Sequence, residues 1–158
     1  MAQEKKTKEQ DTERWVSFRI GRELYAVHVM CVREVLTLME YAKVAGAPDF
    51  VLGIVNLRGN VVTVVDAHQR FNLPPEPVTD DTRVVIIESD KATIGMLVDE
   101  VRDVIDVPQA QVQPPPQVQG DGANEYIGGL VHISDTIYIL VDVPRLLQDA
   151  MVDEEDDA

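Results

Sequence analysis

The sequence predicts an all-β protein: two small five-stranded barrels packed side by side, with a short helix after the last strand of each. Three observations predict it. The 158 residues are 45% apolar but only 5% aromatic, so Val, Ile and Leu must fill the core, and that β-branched supply favours strands over helices. The chain repeats itself. Within each copy, short apolar runs alternate with polar turns.

The repeat organises everything else. Val16, Phe18, Tyr25, Val27, Val32, Arg33, Glu34 and Val35 match Val85, Ile87, Ile94, Met96, Val101, Arg102, Asp103 and Val104 at a constant offset of 69. Further on, Phe50, Gly53, Ile54, Val61, Val62, Asp66 and Phe71 match Tyr126, Gly129, Leu130, Ile137, Tyr138, Asp142 and Leu147 at an offset of 76. The longer second copy takes up its extra residues most simply in a Pro-rich insert.

In chain order, each copy opens with a strand, a polar turn (Gly21-Arg22-Glu23; Ser89-Asp90-Lys91) and a second strand. That is a hairpin. Residues 29–35 and 98–104 follow with valines spaced for either a helical turn or a bent strand, and their Val content favours the strand. Next comes a strand ending at Leu57, a turn at Arg58-Gly59-Asn60 and a strand over 61–65. Its copy is a strand over 130–133, a turn at Ser134-Asp135-Thr136 and a strand over 137–141. Asp66 and Asp142 then stand as N-caps, because a carboxylate there accepts from the free amides of a first helical turn. They introduce short helices over 67–71 and 143–150, the second tolerating Pro144 in its first turn. Pro74, Pro75 and Pro77, and Pro114, Pro115 and Pro116 with Gly120 and Gly122, read as connections.

The expected organisation is therefore a flexible segment over 1–14, a first barrel over 15–82, a second over 83–150, and an acidic disordered tail over 151–158. Halves this small bury little on their own. An apolar seam between them is expected, and whether the first strand closes its own barrel or crosses into the other stays open.

Charge and motifs narrow the function. With 14 basic and 28 acidic residues the net charge is −14, a field that repels nucleic acid and anionic membrane surfaces. Cys31 is the one cysteine, so no disulfide forms within the chain and no Cys-based zinc site exists; among Val29, Met30 and Val32 it reads as a buried, inert thiol. The start lacks the apolar core of a signal peptide, and no apolar run is long enough to span a membrane, so a cytoplasmic protein is expected.

Chemistry is scarce. His28, His68 and His132 have no metal-ligand spacing and read as structural or surface residues. Asp99, Glu100, Asp103 and Asp106, set among valines, read as a solvated face rather than an acid–base pair. Ser17, Ser89 and Ser134 have no histidine beside them, and P-loop, G-x-G-x-x-G, G-x-S-x-G and C-x-x-C motifs are absent. No catalytic residue, cofactor or metal is expected. What stands out is the polar turn Asn56-Leu57-Arg58-Gly59-Asn60, where Asn and Gly supply the turn and Arg58 reads either as an ordinary solvated tip or as a bidentate donor presented to a partner's carboxylate.

Phe50-Val51-x-Gly53-Ile54-x-Asn56-Leu57-Arg58-Gly59-x-Val61-Val62, followed by Asp66 and Arg70-Phe71, resembles the chemotaxis coupling protein family CheW. So do Thr82-Arg83-Val84-Val85, Gly95-x-Leu97-Val98-Asp99-x-Val101, Pro114-Pro115-Pro116 and Tyr126-Ile127-x-Gly129, and the likeness runs from about Trp15 to Leu147. It implies two SH3-like barrels and no catalysis. It implies an adaptor that ties the regulatory domain of the histidine kinase CheA to the cytoplasmic tips of methyl-accepting chemoreceptors, in arrays beneath the membrane. A CheW-like paralogue of another chemosensory pathway, serving motility or development, would share the fold. By resemblance Val32 and Glu34 face the receptor with Val104 of the second barrel, and Asn56, Arg58 and Gly59 form the kinase-coupling turn. A receptor tip would lay its apolar stripe in a groove between the barrels, with Glu34 and Arg58 fixing its register. The chain departs from the family where Asp66-Ala67-His68 replaces Asp-Leu-Arg and where Ala45 replaces a proline.

Overall fold

The computed structural model describes residues 11–90, 92–115 and 126–150. Among them are ten strands: β1 (Thr12–Ile20), β2 (Glu23–His28), β3 (Val32–Thr37), β4 (Val51–Leu57), β5 (Asn60–Asp66), β6 (Arg83–Glu88), β7 (Thr93–Val98), β8 (Glu100–Pro108), β9 (Ile127–Ile133) and β10 (Thr136–Val141). Helix α1 (Ala67–Arg70) follows β5 and helix α2 (Val143–Ala150) follows β10. Both expected N-caps operate: the Asp66 carboxylate accepts from the His68 amide, and that of Asp142 from the Arg145 amide at 3.3 Å.

The strands form two five-stranded sheets, ordered β8-β1-β2-β10-β9 and β3-β6-β7-β5-β4. Every place in one order is filled in the other by the matching strand of the other sequence copy. The division at 82/83 is therefore not that of the sheets. The hairpin β1–β2 pairs with β8 and β10 of the second copy, and β6–β7 pairs with β3 and β5 of the first, so the two copies have exchanged hairpins. The first strand crosses over, and it begins at Thr12, inside the segment expected to be flexible. The tail over 151–158, the start over 1–10, and Pro116, Gly120 and Gly122 of the insert lie outside the described residues.

The exchanged hairpins are covered on both sides, most plainly at β6. On β6, Val84 and Ile86 point into one barrel, while Val85 and Ile87 point into a second core shared with the other sheet. Alternate side chains leave opposite faces of a strand, so a strand covered on both sides reads as one continuous apolar run. The shared core holds Phe18, Ile20, Tyr25 and Val27 of one sheet against Val65, Ile87, Ile94 and Met96 of the other, with Leu146 and Leu147 of α2. The expected apolar seam is this core. Because its own side chains fill it, it does not offer the groove expected for a receptor stripe.

Closure of each barrel rests on a glycine. The chain after β3 bridges to β4 at Ala42 and Ile54, and the chain after β8 bridges to β9 at Gln113 and Leu130. A Cβ at Gly53 would collide with the Ala42 carbonyl; one at the matching Gly129 would lie 3.0 Å from the Gln113 carbonyl oxygen. Register breaks recur in matching strands too, between Val32 and Glu34 on β3 opposite consecutive residues of β6, and between Val101 and Val104 on β8 opposite β1. Such a bulge bends the strand and re-aims its side chains. Residues 29–31 form a 3₁₀ turn rather than the expected strand, because His28 Nδ1 accepts from the Met30 amide at 3.1 Å and curls the chain between sheets. Cys31 is half-buried there, and burial pushes its thiol pKa up.

A shared core with exchanged strands predicts one cooperative unit. Phe18→Ala, which empties a fully buried position in the seam, is expected to cost about 3–5 kcal/mol. Denaturant unfolding followed by fluorescence of Trp15, in one sheet, and by far-ultraviolet circular dichroism, which reports both, will give coincident transitions. Two separated transitions would contradict the shared core.

Candidate functional site

Turn geometry places the arginine. Arg58 and Gly59 connect β4 and β5 with φ of 52° and 87°, the positive values that a two-residue hairpin turn requires and that only glycine adopts freely. The Gly59 amide donates to Asn56 Oδ1 at 2.9 Å and fastens the turn. Arg58, a non-glycine residue held in the left-handed region, projects its guanidinium back toward β3.

There it meets Glu34. Arg58 Nη1 donates to Glu34 Oε2 at 2.6 Å and Nη2 donates to Oε1 at 2.9 Å, a two-pronged pair. Glu34 sits just past the bulge on β3, which directs its side chain toward the β4–β5 turn across the barrel's closure. The hydrogen bond from Arg58, helped by the charges of Arg58 and Arg33, outweighs the opposing effect of burial and holds the Glu34 carboxyl below its ordinary range. The same bond holds Arg58 above its own. The space beneath the pair is only about 10 Å³, far below a small-molecule pocket. Beside it an open trough of about 480 Å³ runs past Arg33, Asn60, Val61, Glu88 and Thr93, its floor crossed by the Arg33–Glu88 ion pair at 3.3 Å.

Of the residues expected to act, the structure joins Glu34, Asn56, Arg58 and Gly59 in one cluster, with Val32 two positions away on β3. Val32 is half-buried against the shared core. Val104 lies apart on β8, at the edge of the other sheet, 57% exposed and paired across from Val16. Its repeat partner is Val35, also exposed. Exposed Val61 and Ile137 form another such pair at the starts of β5 and β10. Each barrel thus presents two apolar side chains at matching places.

Two clusters escaped the sequence reading. Asp99, expected on a solvated face, is buried: its Oδ2 accepts from the Gly21 amide at 2.6 Å and lies 2.7 Å from His68 Nε2. Asp103 and Asp106 are the solvent-facing members of that run, and Glu100 is half-buried beside Arg19. Arg70 lies between two rings, its guanidinium carbon 4.3 Å from the Phe50 centroid and 4.1 Å from that of Tyr126, whose hydroxyl accepts from it. Phe50 and Tyr126 are repeat partners, a signal visible in the sequence; the pairing of His68 with Asp99 had none. Among the described residues no group of three or more His, Cys, Asp or Glu is placed to hold a metal ion, and no helix is long and apolar enough to cross a membrane.

The Glu34 carboxylate is held ionised by Arg58, so the pair persists above the ordinary carboxylate range and is lost as the pH falls through the lowered value. Carbon-detected NMR titration will show Glu34 titrating below about 4.3, the ordinary glutamate value, and Arg58→Ala will return it there. An unmoved Glu34 titration in that variant would contradict the pairing.

Comparison with known proteins agrees with this architecture. The family model described as CheW-like domain matches residues 14–151. The chemotaxis protein CheW of Treponema pallidum is 34% identical over 136 residues, 83% of this chain and 79% of that protein. The chemotaxis protein CheW of Klebsiella aerogenes is 30% identical over 135 residues, 85% of this chain and 81% of that protein. The crystal structure of the scaffolding protein TtCheW from Thermoanaerobacter tengcongensis superposes with a TM-score of 0.76 at 29% identity, covering 82% of this chain and 88% of that one. With the family model spanning nearly the whole chain, and two exchanged five-stranded barrels beneath it, this chain belongs to the CheW-like domain family of chemotaxis scaffolding proteins.

Proposed function

We propose that this chain is a non-catalytic cytoplasmic adaptor that joins the histidine kinase CheA, through its regulatory domain, to the cytoplasmic tips of methyl-accepting chemoreceptors. One observation carries the reading: Glu34, on the strand assigned to the receptor, is bonded at both oxygens to Arg58, on the turn assigned to the kinase. A charge pair shared by two docking surfaces places a partner at either one in contact with an element of the other. Two partners can then be sensed by one small body without chemistry.

The physical means fit docking. Val35 and Val61 on one barrel, and Val104 and Ile137 on the other, are exposed apolar side chains whose removal from water on docking is favourable. Arg33, Glu34, Arg58 and Glu88 supply charges at the edge of such contacts, where they set orientation more than strength. In an array each contact need be only modest, because neighbouring sites raise the effective concentration.

Binding measured separately to the kinase regulatory domain and to a receptor cytoplasmic fragment tests the proposal. The wild-type chain is expected to bind both. Glu34→Lys sets two cations against each other and is expected to weaken receptor binding about tenfold or more, about 1.4 kcal/mol. Arg58→Glu is expected to reduce receptor-dependent kinase activation while far-ultraviolet circular dichroism stays unchanged. Normal kinase activation by both folded variants would refute the assignment, and binding of neither partner by the wild-type chain would assign it to another pathway.

A further inference from the structure

His68 is enclosed at 3% exposure, and both its ring nitrogens face carboxylate oxygens. Nδ1 lies 2.9 Å from Asp66 Oδ1 and Nε2 lies 2.7 Å from Asp99 Oδ2. A neutral imidazole has one N–H and one lone pair. Whichever tautomer it adopts, one of these contacts would set a nitrogen lone pair against a carboxylate oxygen. The imidazolium alone donates to both.

The surroundings complete a balanced group. Arg19 of β1 lies 3.8 Å from Asp99 Oδ2 and 3.7 Å from Glu100 Oε1, the first residue of β8. The Gly21 amide, in the β1–β2 turn, donates to the Asp99 oxygen that His68 faces. Arg70, the other cation of α1, is engaged with Phe50 and Tyr126. Asp66 and α1 belong to the barrel of β3–β7, whereas Asp99 stands where the chain passes from β7 to β8, and it holds the hairpin turn of the other barrel. His68 therefore links the two barrels through charge at their seam.

We propose that His68 is a pH-sensitive clasp between the barrels: as an imidazolium it draws Asp66 and Asp99 together, and its deprotonation leaves one of the two contacts without a proton, weakens the link and loosens the β1–β2 turn that Asp99 holds. Burial by itself disfavours the imidazolium, but the hydrogen bonds to Asp66 and Asp99 and their charges outweigh it and leave the His68 pKa raised. A raised histidine stabilises fully below the ordinary value of about 6.5, and its contribution is lost as the pH rises through the folded value. The clasp is thus closed below that ordinary histidine value and opens as the pH rises through the folded value.

NMR of the full chain tests this. The His68 Cε1 resonance is expected to report an imidazolium that persists above pH 6.5. Protection of the Gly21 amide against hydrogen exchange, corrected for its intrinsic rate, is expected to fall along the same titration. In His68→Gln the Gly21 protection is expected to be independent of pH over that range. His68 titrating at or below the ordinary value, or Gly21 protection that ignores its titration, would overturn the proposal.

Discussion

The shared apolar core between the two sheets is the constraint on which the rest of the structure depends. Its residues come from the hairpins β1–β2 and β6–β7, from β5 and β10, from the helices that follow those last strands with Phe71 beyond the first, and from Tyr126. Neither sheet keeps its hairpin without the other copy, and neither covers its inner face without the other sheet. A single barrel of this size buries a small share of its surface and is marginal alone. Exchange turns two marginal units into one, and it fixes the relative position of every surface the protein offers.

That fixed frame is what makes the Glu34–Arg58 pair informative. Arg58 is held by a two-residue turn in which both residues have positive φ, and Glu34 by a bulge in the facing strand. Neither device is needed to fill a core. The matching place in the second barrel has Asp103 on β8, and Ser134 with Asp135 at the turn, also with positive φ. The backbone is repeated there, and the charge pair is not. The barrels are therefore alike in shape and unlike in electrostatics.

Much of this was legible in the chain. The offsets of 69 and 76 located every strand pair, both helix caps and the matching turns, because side-chain alternation and turn residues are local signals. The turn around Arg58 was readable for the same reason. The exchange of hairpins was not. Since β1–β2 and β6–β7 carry the same pattern, either assignment satisfies periodicity equally well, and only long-range packing chooses. The burial of Asp99 was likewise hidden: it stands beside Glu100 in a charged run, and its partners His68 and Gly21 are far away in sequence. Glu34 and Arg58 were singled out separately, for two different partners, and their bond to each other lies beyond any spacing rule.

The most direct test of the account is the identity of the strand beside β1. Cross-strand nuclear Overhauser effects between backbone protons of Val16 and Val104, and of Trp15 and Ile105, are predicted by the observed register. If β1 instead showed backbone contacts to β3, each copy would close its own barrel, and the shared core, the seam clasp and the fixed docking frame would all be wrong.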